Sequence, residues 1–441
     1  MDHGSETKRG MSLPTKILFG MLIGALAGVA LNLALAPGVG QPPSGAYEDL
    51  VWWADRVVNP IGQLFLNLLF MVVVPVVFCS LFLGVAGLGS VQKLGQLGGR
   101  ALTWFLGTTA LAAVIGLLLV GTIKPGLRMS EDVAVKVQEQ YKDKAAEKIA
   151  EGKTGKGFSL DTIVEIVPQN VVGAASDNKK ILGLIFFALI LGAASTRLPS
   201  ERSRTLCEVL ETIYDLCVKV LAWAMELAPL GVMCLIFTAS AKLGIDVMKL
   251  VGWYFVTAMG GLVLFQVVVI TFLAWAFAGL SPARFYRGSR TLIITAFSTS
   301  SSSATMPTTI RTAVEEFGAP KEIAGFVMPL GATMNMNGTA LFEGVSVLFL
   351  AQAAGVPLGI GEQMLVIGLA VLTAIGAAGV PGGSLPLLAV VLMQVGVPAP
   401  MLALILGVDR LVDMTRTIPN VTSDLVCSLW LSRREGHVLK G

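Results

Sequence analysis

Apolar runs long enough to cross the hydrocarbon of a bilayer, separated by short polar turns, dominate the first two-thirds of the chain. They predict membrane-spanning helices over 17–36, 57–88, 102–123, 213–243 and 251–280, with the shorter apolar stretch 181–194 as a further span. Basic residues set the sidedness. Lys8, Arg9 and Lys16 place the N-terminus inside, and the groups Lys93 with Arg100, Arg197 with Arg202 and Arg204, and Arg284 with Arg287 and Arg290 mark successive inside loops. The long hydrophilic stretch 124–156 then falls outside, where its lysines are no contradiction because long loops obey the charge bias weakly. Residues 163–172 read as a partly buried connection.

Beyond residue 290 the apolar segments shorten, and each is broken. Segment 291–310 is interrupted by Ser298-Thr299-Ser300-Ser301-Ser302-Ser303 and ends at Pro307, with basic residues on both flanks, so it enters from the inside and returns there. A flexible linker between two apolar arms would leave backbone groups unpaired in lipid, which favours a re-entrant hairpin. Segment 323–352 carries Gly331-Ala332-Thr333-Met334-Asn335-Met336-Asn337-Gly338-Thr339 and then Glu343. Segment 364–394 carries Gly376-Ala377-Ala378-Gly379-Val380-Pro381-Gly382-Gly383-Ser384 between apolar arms. No Lys or Arg lies between Phe342 and Asp409, so this second hairpin dips in from the outside. Two hairpins entering from opposite faces form an inverted repeat, the sequence pointer to a midplane site in a secondary transporter.

The most informative stretch is 408–424. Asp409, Asp413, Arg416, Asn420 and Asp424 are spaced four, three, four and four, so at roughly 100° per residue they share one helical stripe. A charged side chain at the bilayer centre costs about 2.5–3.5 kcal/mol, so the stripe must face a wet cavity or partners. Three carboxylates against one guanidinium leave a formal excess of two negative charges, which predicts bound cations. Pro419 cannot donate to the helix ladder and frees the carbonyl of Thr415. A surface-lying amphipathic helix is disfavoured by the apolar turns 402–406 and 425–431 on either side.

Composition sharpens the class. With 441 residues, 54% hydrophobic, 14% charged and 49 glycines, the chain reads as an all-α polytopic membrane protein. A net charge of +3 gives no reason to invoke nucleic acid. Cys79, Cys207, Cys217, Cys234 and Cys427 show neither pairing nor metal spacing, and His3 and His437 lie in the terminal tails. There is no cleavable signal pattern, since the first apolar segment begins near Leu13 and is long enough to span. The serine run has no His or Lys base near it, so hydrolase chemistry is not expected. The side-chain oxygens of the 331–339 break are hard donors that suit Na⁺.

On Ser301-Ser302-Ser303-Ala304-Thr305-Met306-Pro307, Asn335-Met336-Asn337-Gly338-Thr339, Gly379-Val380-Pro381-Gly382 and the run from Asp413 through Asp424, the chain resembles the dicarboxylate/amino acid:cation symporters, which include the glutamate transporters. The resemblance covers nearly the whole chain. It implies eight transmembrane helices and two re-entrant hairpins, assembled as a homotrimer with an elevator mechanism. Residues 13–100 and 160–245 would form mainly the trimerisation scaffold, 101–123 and 251–431 mainly the transport domain, and 124–156 a hydrophilic extracellular insert.

For the solute, the resemblance implies that Asp413 partners an α-ammonium and Arg416 a side-chain carboxylate, roles that agree with the chemistry of both groups. Ser301, Ser302, Ser303, Thr339, Val380, Gly382, Thr417 and Asn420 would complete the pocket. Members that take plain C4-dicarboxylates lack the acid at the position of Asp413, and members that take neutral amino acids lack the arginine. The expectation is therefore import of aspartate or glutamate coupled to Na⁺, with H⁺ as a further candidate coupling ion. C4-dicarboxylate symport and anion conduction through the same pore are the alternatives.

For the ions, Gly331, Asn335, Asn420 and Asp424 resemble one Na⁺ site. Thr333, Ala374, Ile375 and Ala377 resemble a second, closed by the second hairpin. A third family site would involve Asn335, Asn337, Thr108 and Thr109. There, Asn337 replaces the family's aspartate and Phe105 its tyrosine, so fewer than three Na⁺ per cycle are expected. Glu343 stands where animal relatives carry a proton-translocating glutamate. An apolar helix disfavours a charged carboxylate, so Glu343 is a candidate proton carrier or, equally, a static hydrogen-bonded group. The implied location is the inner (plasma) membrane, multi-pass, with both termini cytoplasmic.

Overall fold

The computed structural model describes residues 11–37, 44–93, 96–128, 167–176, 181–376, 379 and 381–440. Among them there are helices and no strands. The N-terminal half comprises α1 (Leu13–Leu35), α2 (Gly45–Trp53), α3 (Asn59–Phe70), α4 (Val73–Lys93), α5 (Gln96–Ile123), α6 (Val171–Ser176), α7 (Ile181–Ser195), α8 (Ser200–Glu226) and α9 (Ala228–Leu243). The C-terminal half comprises α10 (Ile245–Leu264), α11 (Thr271–Ala276), α12 (Pro282–Gly288), α13 (Arg290–Thr299), α14 (Ser302–Arg311), α15 (Lys321–Met334), α16 (Asn337–Ala354), α17 (Ile360–Gly376), α18 (Leu385–Gln394) and α19 (Ala403–Arg434). Of the insert 124–156, only 124–128 lie within the described residues.

Among the described residues, four helical stretches are long and apolar enough to cross a membrane, and a fifth joins them if the bent pair α8–α9 is one span. That pair covers the expected span 213–243 and puts a bend inside it that the apolar run does not announce. The two helices meet at Leu227 with a bend of 58°, where Pro229 brings no backbone N–H to the new helix. The expected span 57–88 is likewise divided, at residues 71–72. The helices after residue 276 are either shorter or carry buried charge, so length and apolarity alone do not count them.

Helices in lipid gain little from excluding water and associate instead by close packing. Gly20, Gly24 and Gly28 form such a face on α1: a Cβ on any of them would run into the backbone of α9 at Pro229, Met233 and Phe237. Asn32 stitches the same two helices, its Nδ2 donating to the Ala241 carbonyl at 2.8 Å. Helices α5 and α16 pack in the same way, with Gly116 against the Leu341 carbonyl and Gly344 against that of Ala113.

The two expected hairpins are present as helix–turn–helix pairs. The first is α13–α14, turned at Ser300, whose left-handed φ of +51° is uncommon outside glycine, and restarted by Ser301, whose Oγ accepts from Ala304 N at 3.1 Å. The second is α17–α18. Between them runs the broken pair α15–α16, interrupted at Asn335 and Met336, both with non-helical backbone angles. Helix α19 packs against both arms of the first hairpin and both halves of the broken pair.

Candidate functional site

The stripe read on 409–424 lies inside the protein. Asp409 is 2% exposed, and Asp413, Arg416, Asn420 and Asp424 are each 3% exposed. Helix α19 therefore turns its charged face inward, toward the α15–α16 break and the two hairpin tips. A small cavity of about 20 Å³ lies there, lined by Ser300, Ser302, Met336, Thr339, Gly379, Ser384, Asp413, Arg416, Thr417 and Asn420.

At the centre, Asp413 Oδ1 accepts from Arg416 Nε at 2.9 Å and Nη2 at 2.6 Å, a bidentate pair. Asp413 Oδ2 accepts from Arg410 Nη1 at 3.0 Å and from Gly382 N, at the second hairpin's tip, at 3.1 Å. Arg410 corrects the charge count made on the sequence. It sits one residue off the stripe yet is only 8% exposed, so the buried groups are three carboxylates against two guanidiniums. The Arg416 guanidinium lies over the Phe342 ring, 4.4 Å from its centroid, and its Nη1 is buried without a partner. Both oxygens of Asp409 are also buried and unpartnered.

The hairpin tips meet each other. Ser301 Oγ donates to the Gly379 carbonyl, and Ser303 N donates to the same oxygen at 3.2 Å. Ser302 lines the cavity, whereas the Ser303 side chain faces the tip of the second hairpin beside Gly379. Thr339 and Thr417 line the cavity wall, and Thr417 Oγ1 donates to the Asp413 carbonyl at 2.9 Å. Val380 and Ala377 lie outside the described residues.

The expected ion ligands fall into three groups. Asn335 Nδ2 donates to Asp424 Oδ1 at 2.7 Å, and Gly331 has no room for a Cβ because the Asp424 carboxylate abuts it. Asn420 Oδ1 accepts from Gly338 N at 2.7 Å, which ties α19 to the start of α16, where a Cβ on Gly338 would strike the Arg416 carbonyl. Gly331, Asn335, Asn420 and Asp424 are thus set around the break, with Asp424 their one carboxylate. Among the described residues no three His, Cys, Asp or Glu side chains come together as a metal cluster. Donors would therefore be one carboxylate together with amide and backbone oxygens, which suits a hard monovalent cation.

The second group lies on two helices that pack together, α15 and α17. Thr333 Oγ1 turns back to the Pro329 and Leu330 carbonyls of its own helix, while Ala374 and Ile375 stand at the end of α17. The third group is assembled between α5 and the break. Thr108 Oγ1 donates to Asn335 Oδ1 at 3.3 Å and Thr109 Oγ1 to Asn337 Oδ1 at 2.9 Å, while Asn337 Nδ2 is buried with no partner. A buried amide N–H offers a cation no ligand where a carboxylate oxygen would offer one.

Glu343 is fully buried on α16. Its Oε2 pairs with Thr373 Oγ1 of α17 at 2.7 Å, and Oε1 has no partner. Sequence reasoning passed over Arg410, Phe342, Thr373, Ser300 and Ser384. The first was visible as a basic residue in an apolar segment, and the rest carry no sequence signal of their own.

A chain with bilayer-length apolar helices, whose buried carboxylates and guanidiniums converge where a broken helix meets two hairpin tips, has the construction of a secondary membrane carrier. Residues 13–434 match the sodium:dicarboxylate symporter family, and the chain belongs to that family. The proton/sodium-glutamate symport protein of Bacillus subtilis (strain 168) is 33% identical over 429 residues, covering 96% of this chain and 93% of the relative. The proton/glutamate-aspartate symporter of Escherichia coli (strain K12) is 31% identical over 427 residues, covering 96% and 93%. Excitatory amino acid transporter 3 of Mus musculus is 32% identical over 442 residues, covering 92% and 83%. The family resemblance read from the motifs is thereby confirmed.

Proposed function

We propose that this protein is a secondary symporter that imports an acidic amino acid, aspartate or glutamate, together with Na⁺ and H⁺. The observation that carries the reading is a single buried cavity lined by both Asp413 and Arg416, with Arg416 Nη1 unpartnered. Asp413 receives the α-ammonium. Arg416 receives the side-chain carboxylate, for which a guanidinium fork is the preferred partner. Thr339, Thr417, Asn420 and the Ser301–Ser303 turn complete the pocket, with Gly382 and Val380 of the second hairpin as its cover. The names of the relatives agree with this substrate class. The acid at 413 favours an amino acid over a plain C4-dicarboxylate, which has no ammonium to place there.

One Na⁺ is assigned to Asp424, Asn335, Asn420 and the Gly331 carbonyl, and a second to backbone oxygens near Thr333, Ala374, Ile375 and Ala377. The cluster of Asn337, Thr108 and Thr109 is a poor third site, because its unpartnered atom is a donor. Glu343 is assigned the proton. At the level of assembly, the reading includes eight spans, two hairpins re-entering from opposite faces and a homotrimer in the plasma membrane. Residues 13–100 and 160–245 serve mainly as its scaffold, and 101–123 and 251–431 as a moving transport domain.

The test is uptake of labelled L-aspartate and L-glutamate into liposomes, with Na⁺ and pH gradients imposed separately. Accumulation above equilibrium is expected, and Arg416→Ala is expected to reduce it at least ~100-fold, since removing one partner of a buried ion pair costs about 3–5 kcal/mol. Absence of gradient-driven accumulation, or an unaffected Arg416→Ala variant, overturns the reading.

A further inference from the structure

Asp413 is saturated. A carboxylate offers about four lone-pair positions, and here four N–H groups occupy them: Arg416 Nε and Nη2 on Oδ1, Arg410 Nη1 and Gly382 N on Oδ2. An incoming ammonium can therefore reach Asp413 only by exchanging with one of these donors.

The four are not equally held. Arg416 grips Oδ1 with two nitrogens, its side chain is 3% exposed, and its guanidinium rests on Phe342. It can also offer Nη1 to a second carboxylate without letting Asp413 go. Gly382 N belongs to the main chain of a hairpin tip, whose φ of +75° favours glycine. Arg410 holds Asp413 through a single nitrogen, its side chain is 10% exposed, and its Nε has no partner. It is the most weakly held of the four donors.

Charge counting points the same way. Asp409 and Asp413 are matched by Arg410 and Arg416, and withdrawing Arg410 leaves one negative charge, which a single ammonium restores. A carboxylate left bare inside the membrane is what the low dielectric penalises most. We propose that Arg410 is a built-in, displaceable counter-ion of Asp413, its guanidinium standing where the solute's ammonium binds and neutralising the carboxylate while the carrier returns without solute. This rests on the reading of Asp413 as the ammonium partner.

The test compares two modes in liposomes: net uptake into vesicles without internal solute, and exchange against the same amino acid inside. In Arg410→Gln, net uptake is expected to fall at least ~10-fold, because the return step lacks its cation, which is about 1.4 kcal/mol. Exchange is expected to persist with a lower half-saturating concentration, because a competitor for Asp413 is gone. Arg410→Lys, a weaker point-charge holder, is expected to restore net uptake while still lowering the half-saturating concentration. If Arg410→Gln is not recovered folded, the lysine variant decides alone, and an unchanged half-saturating concentration overturns the proposal. Parallel loss of net uptake and exchange in folded Arg410→Gln overturns it, as does no change in either. Wild-type protein that neither accumulates nor exchanges acidic amino acids overturns the transport reading and this proposal with it, whereas a transporting wild type with an indifferent Arg410→Gln overturns this proposal alone.

Discussion

Asp413 and Arg416 are one helical turn apart, so the sequence could place them on one face but not show how they meet. Their spacing, and that of Asn420 and Asp424, was legible because a charged stripe in an apolar helix has few physical outlets. Arg410 was legible by the same rule and was passed over: it precedes Asp413 by three residues, the spacing at which Arg416 follows it, so both guanidiniums stand within one turn of that carboxylate. Within the proposed third ion cluster, Asn337 is the residue whose identity changes the donor set most. Its Nδ2 is a buried donor without a partner, beside hydroxyls that already serve Asn335 and Asn337. Asn337→Asp replaces that donor with an anionic oxygen. The variant is expected to steepen the Na⁺ dependence of uptake and to lower the half-saturating Na⁺ concentration roughly tenfold, about 1.4 kcal/mol. An unchanged Na⁺ titration would remove this cluster from ion binding.

At the scale of elements, polar or glycine-rich breaks announced both hairpins and the interrupted helix, because unpaired backbone is tolerated at membrane depth only where it lines a protein cavity. The bend between α8 and α9 went unread, since one proline near the start of a helix is compatible with straight and bent continuations alike. The glycine face of α1 was also invisible as a face: 49 glycines in one sequence do not say which meet a neighbour's carbonyls. The structure singles out Gly20, Gly24 and Gly28. Gly24→Leu would force α1 away from α9, an overpacking cost of about 1–3 kcal/mol or more. It is expected to lower folded yield and the thermal midpoint in detergent, whereas Gly121→Leu, on an open part of α5, changes stability by less than about 0.5 kcal/mol. Equal effects at the two positions would remove the α1–α9 contact from the account.

For the whole molecule, charge bias along the loops carries the prediction of sidedness. Cysteine or tag labelling from outside the cell is expected to leave both termini unmodified and to reach the insert 124–156; a labelled N-terminus would reverse the topology. Mass measurement of the detergent-solubilised protein is expected to return three copies, and a monomeric mass would remove the proposed assembly. Neither property follows from the packing of one chain, because the faces that meet lipid and those that meet a neighbouring subunit are both apolar.

One detail of the tips reaches further than its size suggests. Among the described residues, both hydrogen bonds joining the first hairpin to the second end on a single acceptor, the Gly379 oxygen. The seam between the two approaches to the cavity is thus tied, through the Ser301 side chain and the Ser303 backbone, to one main-chain oxygen that no substitution at 379 can enlarge. Insulation of the ion gradients at this point depends on how two short turns are held rather than on what they are made of, so distant changes that tilt either hairpin by a few degrees can make the membrane leak without touching a ligand.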